Sequence, residues 1–93
     1  MPVPGFRYVR ESIAAKVKRD NGIDYTADQI VISTGAKQSL LNIFLALVNP
    51  GEEVIIPAPY WVSYMDQAKY CGAEVQGLAT TMEGGFNITA DQL

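Results

Sequence analysis

Residues 30–64 read IVISTGAKQSLLNIFLALVNPGEEVIIPAPYWVSY. Two apolar runs in this stretch, Ile30–Ser33 and Glu53–Pro57, lack the alternation of a half-exposed strand. Such runs are typical of strands that are covered on both faces of a parallel sheet. The segment between them, from about Ala36 to Val48, is apolar on nearly every side, which predicts a buried helix. Strand, helix and strand in this order predict an α/β sheet with a right-handed crossover.

The flanking residues continue the same alternation of helices and strands. Apolar residues at helical spacing predict a helix from Phe6 to about Arg19, with its basic residues on a solvated face. Tyr60–Tyr70 is predicted as another helix, followed by a third strand, Glu74–Leu78. Residues 26–29 and Thr89 carry helix-capping signals.

These elements predict a partial three-layer αβα sheet in a single partial domain over residues 1–93, with residues 1–5 as an extended lead-in. Three strands of buried composition need neighbours that these residues do not supply. The sequence also stops just after the helix start signal at Thr89. We therefore expect the chain to be a fragment of a larger α/β protein.

Composition excludes several classes of function. A net charge of -3 with no basic patch argues against nucleic acid as a partner. The sequence has no histidine and one cysteine, Cys71, which excludes a Ser–His triad and an internal disulfide framework. It shows neither a signal-peptide pattern nor an apolar run long enough to span a bilayer, so we expect no membrane association and a cytoplasmic location.

The turn from Ser33 to Lys37 is a candidate anion site. Helix N-termini present backbone N–H groups and the positive end of the helix dipole, and Gly35 lets the backbone approach a phosphate closely. The charge of Lys37 opposes that dipole unless an anion is bound. Neither the Walker A loop nor the dinucleotide fingerprint is present. The residues alone slightly favour the alternative, which is an ordinary tight connection between a strand and a helix.

The second candidate feature is Trp61, which follows the strand exit Pro57-Ala58-Pro59. In open α/β sheets ligands bind beyond the carboxyl ends of the strands, where Trp61 could stack on a planar ring. The alternative is that Trp61 packs into the core. Taken together, the two turns suggest a site for a phosphorylated planar ring.

Three segments carry a family resemblance: Ile30–Asn42 (IVISTGAKQSLLN), Asn49–Ile56 (NPGEEVII) and Pro57–Tyr64 (PAPYWVSY). They closely resemble the class I/II aminotransferases, and more narrowly the bacterial aspartate aminotransferase branch. These are pyridoxal-phosphate (PLP) enzymes of fold type I. The resemblance extends over essentially the whole chain and implies part of the large PLP-binding domain of a homodimeric enzyme acting on amino acids and 2-oxo acids.

The resemblance also implies roles for particular residues. Gly35, Ala36 and Lys37 match the segment that binds the PLP phosphate, and Trp61 matches the aromatic residue that stacks on the pyridine ring. Lys37 lies in the phosphate turn and does not match the catalytic lysine, which the family carries further downstream. No catalytic residue is therefore assigned here, and the 93 residues alone are expected to lack transaminase activity.

Two other functions are compatible with the same sequence. One is a different fold-type-I PLP enzyme, such as a carbon–sulfur lyase or a synthase, because those enzymes share the cofactor turns. The other is a non-catalytic α/β module that binds a phosphorylated ligand or associates with itself through exposed strand edges.

Overall fold

The structure, a computed structural model, describes residues 2–93. The chain divides into two compact units, Met1–Ser39 and Leu40–Leu93. The helices and strands in chain order are α1 (Arg7–Asn21), a 3-10 helix (Ala27–Gln29), α2 (Ala36–Leu47), β1 (Glu53–Ala58), α3 (Val62–Tyr70), β2 (Glu74–Ala79) and a second 3-10 helix (Ala90–Gln92).

Helix α1 dominates the first unit and confirms the helix predicted from Phe6 to about Arg19. It ends at Gly22, whose φ of 70° is left-handed and whose N–H donates to the Lys18 carbonyl at 3.0 Å. Glycine at this position closes a helix without steric cost. One basic residue departs from the predicted solvated face, because Arg10 is buried.

Two identical tetrapeptides, Thr-Ala-Asp-Gln, form the two 3-10 helices. In the first, the Thr26 N–H donates to the Gln29 side-chain oxygen at 3.0 Å. In the second, the Thr89 N–H donates to the Gln92 side-chain oxygen at 2.9 Å. Both are capping boxes, so the capping signals predicted at residues 26–29 and at Thr89 are confirmed.

The second unit contains the sheet. Strands β1 and β2 are parallel, and their register runs from Glu53 opposite Glu74 to Ala58 opposite Ala79. Helix α3 connects them, and its Ala68 is fully buried, as is nearly all of Ile56 on β1. The α/β class with a parallel sheet is therefore confirmed.

Two expectations about the apolar segments are wrong for residues 2–93. Ile30–Ser33 forms no strand there: the Ile32 N–H donates to the Pro4 carbonyl at 3.0 Å, but no neighbouring strand completes a ladder. Val31 is accordingly 65% exposed. Helix α2 has no buried residue, because the described residues cover its apolar side chains only in part. The sheet thus has two strands among the described residues rather than three.

The lead-in differs slightly from the expectation. Residues 2–5 make a turn closed by a hydrogen bond from the Gly5 N–H to the Pro2 carbonyl at 2.9 Å, where an extended segment was predicted. The single-domain assignment over residues 1–93 stays a prediction. Over residues 2–93, none of the helices has the length and apolar character needed to cross a membrane. The same residues bring no three potential metal-ligating side chains together.

The turn before β1 makes stability depend on pH. The Glu52 carboxylate accepts hydrogen bonds from the Asn49 backbone N–H at 2.7 Å and from the Asn49 side-chain amide at 3.2 Å. The backbone bond in particular lowers the pKa of Glu52 below its usual value. Because the folded state favours the charged form, the stabilisation is present above the pKa of the unfolded state and is lost as the pH falls through the lower pKa of the folded state.

We therefore expect Glu52→Gln to lower the stability of the native protein at pH 7 and to have a smaller effect near pH 3. Denaturant unfolding across this pH range measures the difference. Glu83→Gln, the same change in an exposed turn, is the control for loss of a charge. A Glu52→Gln effect that is equal at pH 7 and pH 3 contradicts the role of the carboxylate charge.

Candidate functional site

The first candidate feature is the turn that begins α2. Gly35 has a φ of +83°, a left-handed conformation that glycine adopts far more readily than other residues. Its N–H donates to the Ser33 carbonyl at 2.9 Å, and its own carbonyl accepts the Ser39 N–H at 3.3 Å, which starts the helix. The Thr34 N–H donates to the side-chain oxygen of Gln38. The helix therefore begins directly after a sharply turned glycine.

Space is open above this turn. A side-chain carbon built on Gly35 would meet no atom within 4 Å. Gly35, Ala36 and Lys37 are all exposed and follow one another at the start of α2. Helix N-termini carry the positive end of the dipole, so an anion placed in this space would be stabilised. The arrangement can accept a phosphate without moving a side chain out of the way of Gly35.

The second candidate feature lies in the other compact unit. Trp61 is the residue before α3 and follows the exit of β1 by way of the cis peptide bond Ala58–Pro59. Its indole N–H donates to the Ser63 hydroxyl at 3.0 Å, and the residue is 58% exposed. The alternative that Trp61 packs into a core does not hold for the described residues. An exposed indole whose N–H is hydrogen-bonded presents a face on which a ring can stack.

A cavity of about 430 Å³ lies within the second unit and was not predicted. Its walls are mainly apolar, with two tyrosines, and include Leu40, Phe44, Ile55, Pro57, Tyr60 and Tyr64. Helical spacing could not have found both tyrosines, because Tyr60 precedes α3 and only Tyr64 lies on it. An apolar cavity of this kind can take a flat group, and its lining includes no carboxylate, lysine or cysteine.

Electrostatics single out no catalytic acid among the described residues. Besides Glu52, the pKa of Asp20 is lowered, because the carboxylate accepts from Arg19 at 2.7 Å and pairs with Lys16 at 3.0 Å. Both carboxylates are exposed and belong to surface ion pairs or turns. They read as structural groups rather than as members of an active site.

Comparison with known proteins identifies the family. The family model for aminotransferase class I and II matches residues 1–93. The chain is 48% identical over 92 residues to a probable aspartate/prephenate aminotransferase of Rhizobium leguminosarum bv. phaseoli, covering 99% of this chain and 23% of that protein. The chain therefore belongs to the class I and II aminotransferase family, as its three segments predicted.

Solved structures agree on the fold. The aspartate aminotransferase of Rhizobium meliloti matches with a TM-score of 0.93 at 39% identity, covering 99% of this chain and 23% of that one. The aspartate aminotransferase of Thermus thermophilus, solved with maleate, matches with a TM-score of 0.92 at 37% identity, covering 98% of this chain and 24% of that one. The chain thus spans about a quarter of the length of the proteins it resembles, as expected for part of a larger α/β domain.

Proposed function

We propose that the native protein containing these 93 residues is a PLP-dependent aminotransferase. It moves an amino group between an aspartate-type amino acid and a 2-oxo acid. Within this chain, Gly35, Ala36 and Lys37 bind the cofactor phosphate and Trp61 stacks on its ring. The observation that carries the proposal is the open left-handed turn at Gly35, which supports a phosphate site at the start of α2 in a chain of this family.

The residues fit the cofactor in three respects. The space above Gly35 admits a phosphate oxygen beside the backbone. The side chain of Lys37 adds a positive charge, which attracts the phosphate dianion. A bound phosphate would in turn offset the repulsion between Lys37 and the positive end of the helix dipole. The exposed indole of Trp61 offers a flat apolar face to an aromatic ring. When bound, PLP supplies the electron sink for the carbon that carries the amino group.

The substrate class and the assembly are part of the same proposal. The relative solved with maleate was captured with a dicarboxylate, which supports a dicarboxylic substrate such as aspartate. We further propose a homodimer in the cytoplasm, supported by the family resemblance. The chain itself would hold and orient the cofactor, whereas proton transfer would fall to residues outside it.

The proposal is tested with the purified native protein. Titration with PLP, followed by absorbance, should show saturable binding, and L-aspartate with 2-oxoglutarate should yield oxaloacetate and glutamate. PLP binding with release of sulfide from cysteine would instead identify a carbon–sulfur lyase. Absence of PLP binding contradicts the proposal and leaves the non-catalytic module, which size-exclusion chromatography then examines for self-association.

Trp61 provides a sharper test of the same site. Trp61→Ala should weaken PLP binding by roughly fivefold to tenfold, since a stacked aromatic pair is worth about 1 kcal/mol beyond its buried area. Trp61→Phe should retain most of the affinity, because it keeps a flat ring. Tyr70→Ala removes an exposed aromatic residue at the end of α3 and should leave the affinity unchanged. Equal affinities for Trp61→Ala and the native protein would remove Trp61 from the site.

A further inference from the structure

Arg10 is the one charged residue that is buried among those the structure describes, with 8% exposure on α1. Its Nε donates to the Gly5 carbonyl at 3.2 Å, and its Nη1 donates to the Ala27 carbonyl at 2.6 Å. Burying a guanidinium is costly unless strong hydrogen bonds compensate. Both partners are backbone carbonyls, so the side chain fixes two points of the main chain that are distant in sequence.

These two points border the segment that leads into the candidate phosphate turn. The Ala27 carbonyl accepts a second hydrogen bond, from the Ile30 N–H at 3.3 Å. The Pro4 carbonyl, one residue before Gly5, accepts from the Ile32 N–H at 3.0 Å. Residues 30–32 are thus anchored at both ends to main chain that Arg10 holds. They form no strand among the described residues, so these contacts are what position them.

Gly5 also packs closely against the segment 30–32. A side-chain carbon there would lie 2.8 Å from Cδ1 and 2.9 Å from Cβ of Ile32, so Gly5 packs directly on Ile32. One residue after Ile32, the chain enters the turn Ser33–Lys37. A shift of the Gly5 or Ala27 carbonyl would therefore be passed along two residues or fewer of extended chain before it reached the turn.

The nearby carboxylate adds little to this arrangement. Asp28 lies 3.6 Å from the Arg10 Nη1, but the Asp28 side chain is 75% exposed, and exposed pairs contribute weakly. The geometry of the planar fork therefore matters more than the charge. Lysine at this position would keep the charge but could not reach both carbonyls in the same way.

We propose that Arg10 is a positioning residue for the turn Ser33–Lys37. It ties α1 to the main chain on both sides of residues 30–32 and so sets where the backbone of Gly35 and Ala36 presents itself to a ligand. Arg10, its two carbonyl partners and the turn all lie in the first unit. The consequence of this positioning for cofactor affinity rests on the function proposed above.

The experiment uses the native protein with Arg10→Met and Arg10→Lys, and two readouts. Hydrogen exchange of the apo protein should show faster exchange of the amides of residues 32–39 in both variants than in the unchanged protein. Titration with PLP should show affinity weakened by roughly tenfold or more, the lower end of the range seen when groups that orient metal ligands are removed. If Arg10→Met does not fold, Arg10→Lys carries the comparison.

Two controls separate positioning from general loss of stability. Arg7→Met removes the neighbouring arginine, which is exposed and pairs with Glu11 and Asp28, and should change neither readout. Ala68→Gly, in the buried part of α3, should lower the melting temperature without a local change at residues 32–39. The first control accounts for the loss of a charge, and the second accounts for the loss of stability.

The possible outcomes are distinct. Local exchange and affinity that match those of the controls overturn the role of Arg10. Faster exchange with weaker PLP binding supports it. If the unchanged protein does not bind PLP, the proposed function fails, and the exchange of residues 32–39 alone decides whether Arg10 positions the turn.

Discussion

Replacing Gly5 by alanine is expected to lower the stability of the native protein by roughly 3 kcal/mol. Gly5 has a φ of +95°, which strains a residue with a side chain by about 1–3 kcal/mol. The added carbon would also lie within 3 Å of Ile32, including 2.9 Å from its Cβ, which a rotation of the side chain cannot relieve. Overpacking of this kind costs about 1–3 kcal/mol more. Denaturant unfolding measures the loss.

Gly22→Ala is the matched control for this change. Gly22 also has a positive φ, of 70°, but a side-chain carbon there would meet no atom within 4 Å. The control should therefore lose only the backbone term, about 1 kcal/mol. If the two variants lose equal stability, close packing between Gly5 and Ile32 is not what requires glycine at position 5.

Replacing Gly35 by alanine is expected to separate stability from cofactor binding. The new side chain meets open space, so the fold should lose only about 1 kcal/mol from the left-handed backbone. The methyl group would occupy the space proposed for a phosphate oxygen and displace it from the helix N-terminus. A lost hydrogen bond to a charged group costs about 1.5–3 kcal/mol, so we expect PLP binding to weaken by roughly 10- to 100-fold. Absorbance titration of the native protein and of the variant measures it.

Gly51→Ala controls for the strain at Gly35. Gly51 has a φ of +86° and open space around it, so it shares the backbone cost. It lies in the turn before β1, where its N–H donates to the Gly72 carbonyl at 2.9 Å, a bond that alanine retains. We expect unchanged PLP affinity for Gly51→Ala. Similar affinities for both variants would place the phosphate elsewhere.

Local chemistry explains why much of the second unit was predictable. The apolar run at Glu53–Pro57, the turn before it and the helix after Trp61 are each specified within a few residues. The capping boxes show this most directly, because the same four residues adopt the same hydrogen bonds at Thr26 and at Thr89. A threonine and a glutamine three residues apart satisfy each other regardless of what surrounds them.

The predictions that were wrong concerned segments whose partners lie far away in sequence. A strand at Ile30–Ser33 needs another strand beside it, and the apolar faces of α2 need side chains that cover them. A local pattern shows that a segment is suited to burial, but it does not show which partner is present. The burial of Arg10 was not predicted for a related reason. In the sequence of α1, Arg10 cannot be distinguished from the exposed Arg7, and only the fold brings the Gly5 and Ala27 carbonyls to it.

In the candidate site, too, local features were predictable and features that depend on distant residues were not. The sequence placed Gly35, Ala36 and Lys37 at a helix start and Trp61 at a strand exit, because a glycine turn and a proline-flanked exit are local features. It could not supply the openness above Gly35 or the exposure of the indole, which depend on which side chains pack nearby. Their binding roles remain predictions for the titrations described above.

The one-to-one register of β1 and β2 has a consequence for folding kinetics. Every pair from Glu53–Glu74 to Ala58–Ala79 has the same separation of 21 residues and is closed by the one connection through α3. Closing that connection once brings all six pairs into register, so its loop entropy is lost once rather than pair by pair. Because parallel pairing across a crossover forms slowly, the pairing of β1 with β2 is expected to be a late step in the folding of the second unit.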